Sequence, residues 1–138
     1  MQEERSEQID RLLATLTAMR GVTAAAVVDQ DGFVTHVRRD FEINADALGA
    51  AVQISYGAAQ RSAEHVGHRD AQLVMSENAD GMILLAPIVR GFMLAIVADD
   101  NAMLGSVRFE VKETIPALGT LFGESPKAPR LRAAGARG

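Results

Sequence analysis

Two short polar segments, each closed by a glycine, constrain the fold of this chain more than any other feature. Residues 29–32 read DQDG and residues 78–81 read NADG, and each segment separates two runs of strand-forming residues. Glycine supplies the positive φ that tight turns require, and Asp or Asn side chains bond to turn amides. Both segments therefore predict β-hairpins, and paired hairpin strands are antiparallel.

The DQDG segment also resembles the opening of a calcium-binding loop. An EF-hand loop requires glycine at its sixth position and a bidentate Glu at its twelfth. Counted from Asp29, these positions hold Val34 and Asp40, and Gly32 comes two places too early. We therefore predict a plain hairpin turn at this segment.

The apolar periodicities predict three helices and five strands. Strands are expected over residues 22–28, 33–38, 73–77, 82–89 and 92–98, and helices over residues 6–20, 45–66 and about 101–118. Gly21 is the expected C-cap of the first helix, Asn44 is the expected N-cap of the second, and Pro116 should kink the third or end it early. The order α-β-β-α-β-β-β-α predicts an α+β sandwich, in which a five-stranded antiparallel sheet carries helices on both faces.

Composition restricts the compartment and the class of partner. The 138 residues include no cysteine, which excludes disulfides and thiolate metal ligands and fits a cytoplasmic protein. The acidic start MQEERSEQ is unlike a signal peptide, and the longest apolar run, residues 82–89, is too short to insert across a membrane. The net charge of −4 lacks the excess of basic residues that is typical of proteins that bind nucleic acid. We expect one domain over residues 1–122 and a basic, disordered tail over residues 123–138.

No motif of an enzyme active site occurs in the sequence. The phosphate-binding patterns G-x-x-x-x-G-K-[ST] and G-x-G-x-x-G are absent, as is the nucleophile pattern G-x-S-x-G. His65, His68 and Asp70 are close enough in sequence to suggest a zinc site, but Gly67 is expected to end the helix between the histidines. We therefore expect no catalytic site, no metal site and no cofactor.

The second predicted helix has two apolar sides, whereas a helix that covers one face of a sheet needs only one. The side expected to pack on the sheet contains Leu48, Ala51, Val52, Ser55, Ala59, Ala63 and Val66. The second flank contains Ala47, Ala50, Ile54, Ala58 and Arg61. The narrow polar side contains Gln53, Gln60 and Glu64. Small side chains around an isolated Ile let another backbone approach closely, so we interpret the second flank as a partner surface, although alanine is also simply a good helix former.

The predicted strand over residues 73–77 lacks the usual protection of a sheet edge. It contains no proline and no inward-facing lysine, which are devices that prevent edge strands from pairing with other chains. If this strand lies at an edge, we expect it to pair with a second copy of itself about a two-fold axis.

Three segments, taken together, resemble the Roadblock, or dynein light chain, domain family. They are GVTAAAVVDQDGFV at residues 21–34, GMILLAPIVRGFMLAIVADD at residues 81–100 and MLGSVRFEVKETIPAL at residues 103–118, and the similarity extends over roughly residues 8–120. The resemblance implies a homodimer in which the third strands join two sheets into one ten-stranded sheet, with the second helices antiparallel on one face. In bacterial and archaeal members, this face typically docks a Ras-like small GTPase and modulates its nucleotide state.

Mapped onto this chain, the resemblance implies two sites. The dimer strand comprises Gln72, Leu73, Val74, Met75 and Ser76. The docking helix is the second one, with its second flank outward, and Arg61 on that flank is a hypothetical arginine finger for a GTPase-activating role. The implied function is a non-enzymatic regulator or scaffold that binds a small GTPase.

Two alternatives remain open. One is a ligand-sensing module of the profilin or PAS kind, with a cavity beside the sheet. The alanine-rich first strand argues against such a cavity, and five Phe and one Tyr are few to line it. The other alternative is a general protein-interaction scaffold.

Overall fold

The computed structural model describes residues 2–123, so the expected tail lies outside the described residues except for Gly123, the last residue of a helix. The elements are α1 (Gln2–Thr17), β1 (Val22–Val28), β2 (Val34–Arg39), α2 (Ala45–His65), β3 (Val74–Asn78), β4 (Gly81–Pro87), β5 (Met93–Asp99) and α3 (Leu104–Gly123). Their order is the predicted one. Within these described residues, no helix combines the length and apolar character needed to span a membrane.

The five strands form one antiparallel sheet in the order β2-β1-β5-β4-β3. β3, β4 and β5 are consecutive neighbours, whereas a long-range pairing joins β1 to β5 at the centre. In that pairing Ala25 lies opposite Ile96, and Val27 lies opposite Leu94. The edges are β2 and β3, so the strand without edge protection does lie at an edge.

Residues of the central strands alternate between two hydrophobic clusters on opposite faces of the sheet. Ala25 belongs to the larger cluster, which α1 and α3 cover with side chains such as Leu13 and Leu118. Val28 belongs to the smaller cluster on the other face, to which α2 contributes the buried Val52. Helices therefore lie on both faces, which confirms the predicted α+β sandwich.

The first hairpin turn is held by the side chain of Asp29. Its Oδ1 accepts hydrogen bonds from the backbone N–H groups of Asp31 and Phe33, both at 2.9 Å, and Gly32 has a φ of +88°. This is the turn chemistry expected of Asp followed by Gly. The DQDG segment is a hairpin turn, as predicted.

The other two hairpin turns are equally tight. Asn78 pairs with Gly81, which leaves two residues in the β3–β4 loop. In the β4–β5 turn, Arg90 and Gly91 both have positive φ, at 49° and 85°, as two-residue turns require. The guanidinium of Arg90 also donates a 2.7 Å hydrogen bond to the carbonyl oxygen of Phe122, in the last turn of α3.

α1 is displaced from its predicted span. It begins at Gln2 rather than residue 6 and ends at Thr17, so Gly21 does not follow the helix directly. The backbone N–H of Met19 donates to the carbonyl oxygen of Leu16, and such an i→i−3 bond is tighter than that of an α-helix. Gly21, with a φ of +83°, serves the turn into β1 instead.

Of the two effects predicted for Pro116, a kink or an early end of α3, the early end was wrong. The helix continues past Pro116 to Gly123, although proline has no N–H to donate to the preceding turn. Tertiary contacts of later residues offset this loss. Leu118 is fully buried, and the ring of Phe122 stacks on that of Phe92 with centroids 4.5 Å apart.

α2 crosses the first hairpin where two glycine backbones touch. A Cβ at Gly49 would overlap the carbonyl oxygen of Gly32, whereas a Cβ at Gly57, two turns further along α2, would meet open space. Only Gly49 therefore needs to be glycine, because the hairpin backbone lies too close to the helix at that position for a side chain.

We expect Gly49→Ala to destabilise the protein by about 1–3 kcal/mol, because the hairpin must move away from the helix. Gly57→Ala is the matched control and should stabilise the protein by about 0.5–1 kcal/mol, since alanine replaces glycine in a helix without a clash. Urea unfolding at one fixed protein concentration measures both changes. Equal effects of the two substitutions would contradict the close approach at Gly49.

Candidate protein-interaction surface

The orientation of α2 is set by polar contacts that the sequence did not reveal. Asn44 caps the helix as predicted, and its Oδ1 accepts a 3.1 Å hydrogen bond from the N–H of Ala47. Gln53 points inward rather than away from the sheet. Its Nε2 donates to the carbonyl oxygens of Asp29 at 2.8 Å and Gly91 at 2.9 Å. One amide group thereby ties α2 to the β1–β2 and β4–β5 turns.

The next two turns of α2 hold the segment that leads into β3. The hydroxyl of Tyr56 donates to the carbonyl oxygen of Ala71 at 2.9 Å, and the N–H of Ala71 donates to Oε1 of Gln60 at 2.8 Å. Burial, and secondarily the charge of Asp70, raise the pKa of Tyr56, so the hydroxyl is kept as a donor. The start of β3 is therefore positioned by α2.

The predicted sheet-facing side of α2 is only partly correct. Val52 is buried and Leu48 is half-buried in the smaller cluster. Ala51 and Ser55 are exposed, as is Val66 just beyond the helix. The error has a physical reason: the hydrogen bonds of the inward glutamines rotate the helix away from the orientation that its apolar side chains alone would favour.

The predicted partner flank forms one exposed stripe, here called the α2 surface. Its members are Ala47, Ala50, Ile54, Ala58 and Arg61, and all are exposed, with Ile54 at 71%. Residues 47–60, which supply all of the stripe except Arg61, contain no charged side chain. The outward side of a surface helix normally carries charged and polar residues. Instead, α2 presents to solvent an alanine-rich surface with one large aliphatic side chain.

Phe33 is a large exposed apolar residue near α2 that was not recognised in the sequence. A Cβ at the turn residue Gly32 would be in van der Waals contact with Ala50, so the backbone of Phe33 is close to the N-terminal half of α2, and the next residue, Val34, packs on the face that α2 covers. The Phe33 side chain is 62% exposed. An aromatic residue directly after a turn glycine, where a polar residue would suffice, was the available signal.

The predicted dimer residues lie at the free edge of β3 or directly before it. Gln72 and Leu73 precede the strand, which begins at Val74. Val74 lies opposite Leu85 of the smaller cluster and so points to the α2 face. Met75, which is 45% exposed, points to the other face. The helix α2 and the β3 edge are therefore neighbours, linked through the contacts of Tyr56 and Gln60 with Ala71.

The opposite edge of the sheet is built differently. β2 begins with an irregularity in register beside Val28, and it ends with the exposed arginines Arg38 and Arg39. Bulges and charged side chains are common devices that prevent an edge from pairing with another chain. In the described sheet, β3 therefore offers the edge with a regular register, and its one charged residue is Glu77.

His65 lies in the last turn of α2, one turn beyond Arg61, and His68 follows the end of the helix. His65 and His68 are exposed, and Gly67 between them has a φ of +77°. The described residues contain no group of three His, Cys, Asp or Glu side chains placed to hold a metal. His36 lies 3.0 Å from the hydroxyls of both Ser6 and Thr35, and burial lowers its pKa more than Asp10 raises it. These contacts attach α1 to β2.

Comparisons with known proteins identify a family. A family model described as the Roadblock/LC7 domain matches residues 8–98. A protein of Methanocaldococcus jannaschii is 28% identical over 114 residues, which cover 83% of this chain and 99% of that protein. Among solved structures, the gliding protein MglB of Thermus thermophilus superposes with a TM-score of 0.78 at 22% identity, covering 88% of this chain and 91% of that chain.

Two further structures describe the range of the fold. A structure of MglB in a tetrameric arrangement superposes with a TM-score of 0.81 at 22% identity, covering 87% of this chain and 91% of that one. Profilin IB of Acanthamoeba castellanii superposes with a TM-score of 0.60 at 16% identity, covering 80% of this chain and 95% of that one. The α+β arrangement is therefore shared by Roadblock domains and profilin.

We expect Gln53→Met to destabilise the protein by about 1–2 kcal/mol, since two hydrogen bonds are lost while the side-chain volume is kept. Amide hydrogen exchange should accelerate in the turns at Asp29–Phe33 and Val89–Phe92, because α2 no longer ties them together. Ile54→Ala is the control on the same helix and should change stability by less than about 0.5 kcal/mol. Unchanged exchange in both turns would show that Gln53 does not hold them.

Proposed function

Because the chain belongs to the Roadblock/LC7 family, we propose that it is a non-enzymatic homodimeric regulator that binds a Ras-like small GTPase and modulates its nucleotide state. The observation that carries this proposal is the exposed outward side of α2, which has no charged side chain over residues 47–60. Alanines stabilise the helix in a monomer, but the exposed Ile54 does not, and contiguous apolar patches mark interaction sites.

The α2 surface has the composition of a docking site with one anchor. Ile54 is the large side chain at its centre and is 71% exposed. The alanines on either side of it let a partner backbone come close to the helix. Interfaces of this kind derive most of their affinity from a few buried anchor residues.

The free edge of β3 supports the homodimer. A regular edge strand without bulge, proline or lysine is a template for pairing with another strand. Pairing about a two-fold axis would join two five-stranded sheets and place both copies of α2 on one face. The two α2 surfaces would then form one continuous site.

Arg61 closes the α2 surface at its C-terminal end. Its side chain is exposed, and the described residues place no carboxylate within ion-pair distance of it. A guanidinium held at the margin of a GTPase interface can stabilise the charge that develops on the transferred phosphate. Arg61 is therefore the residue that a GTPase-activating role would use.

We expect the purified protein to retain a Ras-sized GTPase from lysate in the presence of either GDP or a non-hydrolysable GTP analogue, but not both. Ile54→Asp should reduce the retained GTPase at least tenfold, equivalent to about 1.4 kcal/mol, because a carboxylate replaces the anchor. Val66→Asp is the matched control, since Val66 is 65% exposed but lies outside the stripe.

The same GTPase, once isolated, distinguishes an activator from a scaffold. If Arg61 acts as an arginine finger, Arg61→Ala should lower the stimulated GTP hydrolysis about 10³-fold while the GTPase still binds. Unchanged hydrolysis would eliminate the finger. Retention of no GTPase in either nucleotide state would refute the regulator and leave a general scaffold.

The oligomeric state of the protein tests the proposed dimer separately from GTPase binding. We expect a mass of two chains by light scattering, and we expect Met75→Lys to shift the protein towards the monomer because lysine protects a strand edge. Met103→Lys is the matched control, since Met103 is 64% exposed and lies before α3. A wild-type protein that remains monomeric at about 100 μM would contradict edge pairing, because stable homodimers bind more tightly than that.

A further inference from the structure

A groove of about 350 Å³ lies between α3 and the chain that leads into β3. Its walls are Val111 and Ile115 of α3, Leu73 before β3 and Pro87 at the end of β4. Arg108 and Lys112 of α3 also line this groove. It lies on the face of the sheet that α1 and α3 cover, because Leu73 and Val111 belong to the larger hydrophobic cluster. The floor is therefore apolar and the margin cationic.

The two cations on the margin are unfavourably placed with respect to each other. Arg108 and Lys112 are four residues apart on one helix, so their side chains are neighbours, and like charges at this spacing destabilise a helix. Both are exposed. The one ion pair in residues 2–123 joins Arg11 to Glu7, so no carboxylate of the described chain lies between the two cations. A carboxylate from elsewhere would convert their repulsion into attraction.

The free edge of β3 carries such a carboxylate on the same face. Glu77 is exposed and lies opposite Met82, which packs against the larger cluster. Its side chain therefore points to the face on which the groove lies. Asp80 follows in the two-residue turn, so the tip of the β3–β4 hairpin is acidic.

The hairpin geometry restricts how β3 can pair with itself. In a hairpin with a two-residue loop, the pair that closes the loop exchanges backbone hydrogen bonds. Asn78 and Gly81 are that pair, so the backbone groups of Ser76 also point towards β4. Those of Met75 and Glu77 therefore point to the free edge.

A two-fold axis through Met75 satisfies this pattern. Each Met75 then exchanges backbone bonds with its counterpart, and Glu77 of each copy comes opposite Leu73 of the other. Opposite residues of an antiparallel pair project to the same face about 5 Å apart. Leu73 is a wall of the groove, so Glu77 of the second copy reaches its cationic margin.

We propose that the groove beside α3 receives the β3–β4 hairpin tip of a second copy of this chain, with Glu77 of that copy between Arg108 and Lys112. The proposal rests on the homodimer proposed above and adds its register and a second area of contact. By symmetry the contact occurs twice. The α2 surface gives affinity for another protein, whereas this groove selects a second copy of the same chain.

The test uses two charge reversals in the full-length protein. Glu77→Lys places a cation against Arg108 and Lys112, and Arg108→Glu places two carboxylates together. Each should weaken the dimer about tenfold at low ionic strength, because two symmetrical contacts each contribute several-fold. Glu113→Lys is the matched control, since it makes the same charge change at an exposed position of α3 outside the groove. It should leave the dimer unchanged.

Mixing the two variants gives the decisive measurement. In a heterodimer of the Glu77→Lys and Arg108→Glu chains, one contact pairs the new lysine with the new glutamate and the other retains the natural pair. Sedimentation should therefore detect a heterodimer that is about as stable as the wild-type homodimer, while each variant alone dissociates. Circular dichroism of both variants checks that the exposed substitutions leave the fold intact.

The outcomes separate this proposal from the one on which it rests. A monomeric wild-type protein overturns the homodimer itself. A dimeric wild type with undisturbed variants overturns only the groove contact, as does weakening of both variants without recovery in the mixture. Dissociation of each variant with recovery in the mixture supports the contact and its register.

Discussion

The pairing of β1 with β5 is the interaction on which the rest of the structure depends. It is the one link in the sheet between the first hairpin and the meander of β3 to β5. Ala24, Ala25 and Ala26 of β1 are all buried, so this central strand presents small side chains to both faces. Helices can then come close to the sheet on either side. The contact of Gly49 with Gly32 is one consequence of that closeness.

The position of α2 follows from the turns at one end of the sheet. Gln53 bonds to a carbonyl oxygen of each of the two turns that the β1–β5 pairing brings together. These bonds fix the rotation of the helix about its axis. As a result, the apolar side chains of α2 are divided between the side that faces the sheet and the side that faces solvent. Val52 faces the sheet, while Ile54 and the neighbouring alanines face outward. The exposed stripe results from this rotation as much as from the sequence of the helix itself.

The sequence predicted those features that depend on neighbouring residues. Turn chemistry at Asp29 and the N-cap at Asn44 follow from local patterns, whereas the position of β3 at an edge results from the long-range pairing of β1 with β5. The inward rotation of Gln53 could not be predicted, because its acceptors are far away in the sequence. The same holds for α3 beyond Pro116, where burial of later residues decides the outcome. The α2 surface was found because its apolar spacing is local.

The contacts of α2 bear directly on how the two proposed interfaces would influence each other. Tyr56 and Gln60 hold Ala71, and Ala71 precedes Leu73 and β3. A partner that moved α2 along its axis would therefore displace the start of β3, and with it one wall of the groove beside α3. Coupling between two binding events is reciprocal, so dimer formation would change the affinity of α2 for its partner by the same factor. On this basis the proposed homodimer would be a part of the proposed regulatory device, since the strand that would join the two copies is positioned by the helix that would meet the GTPase.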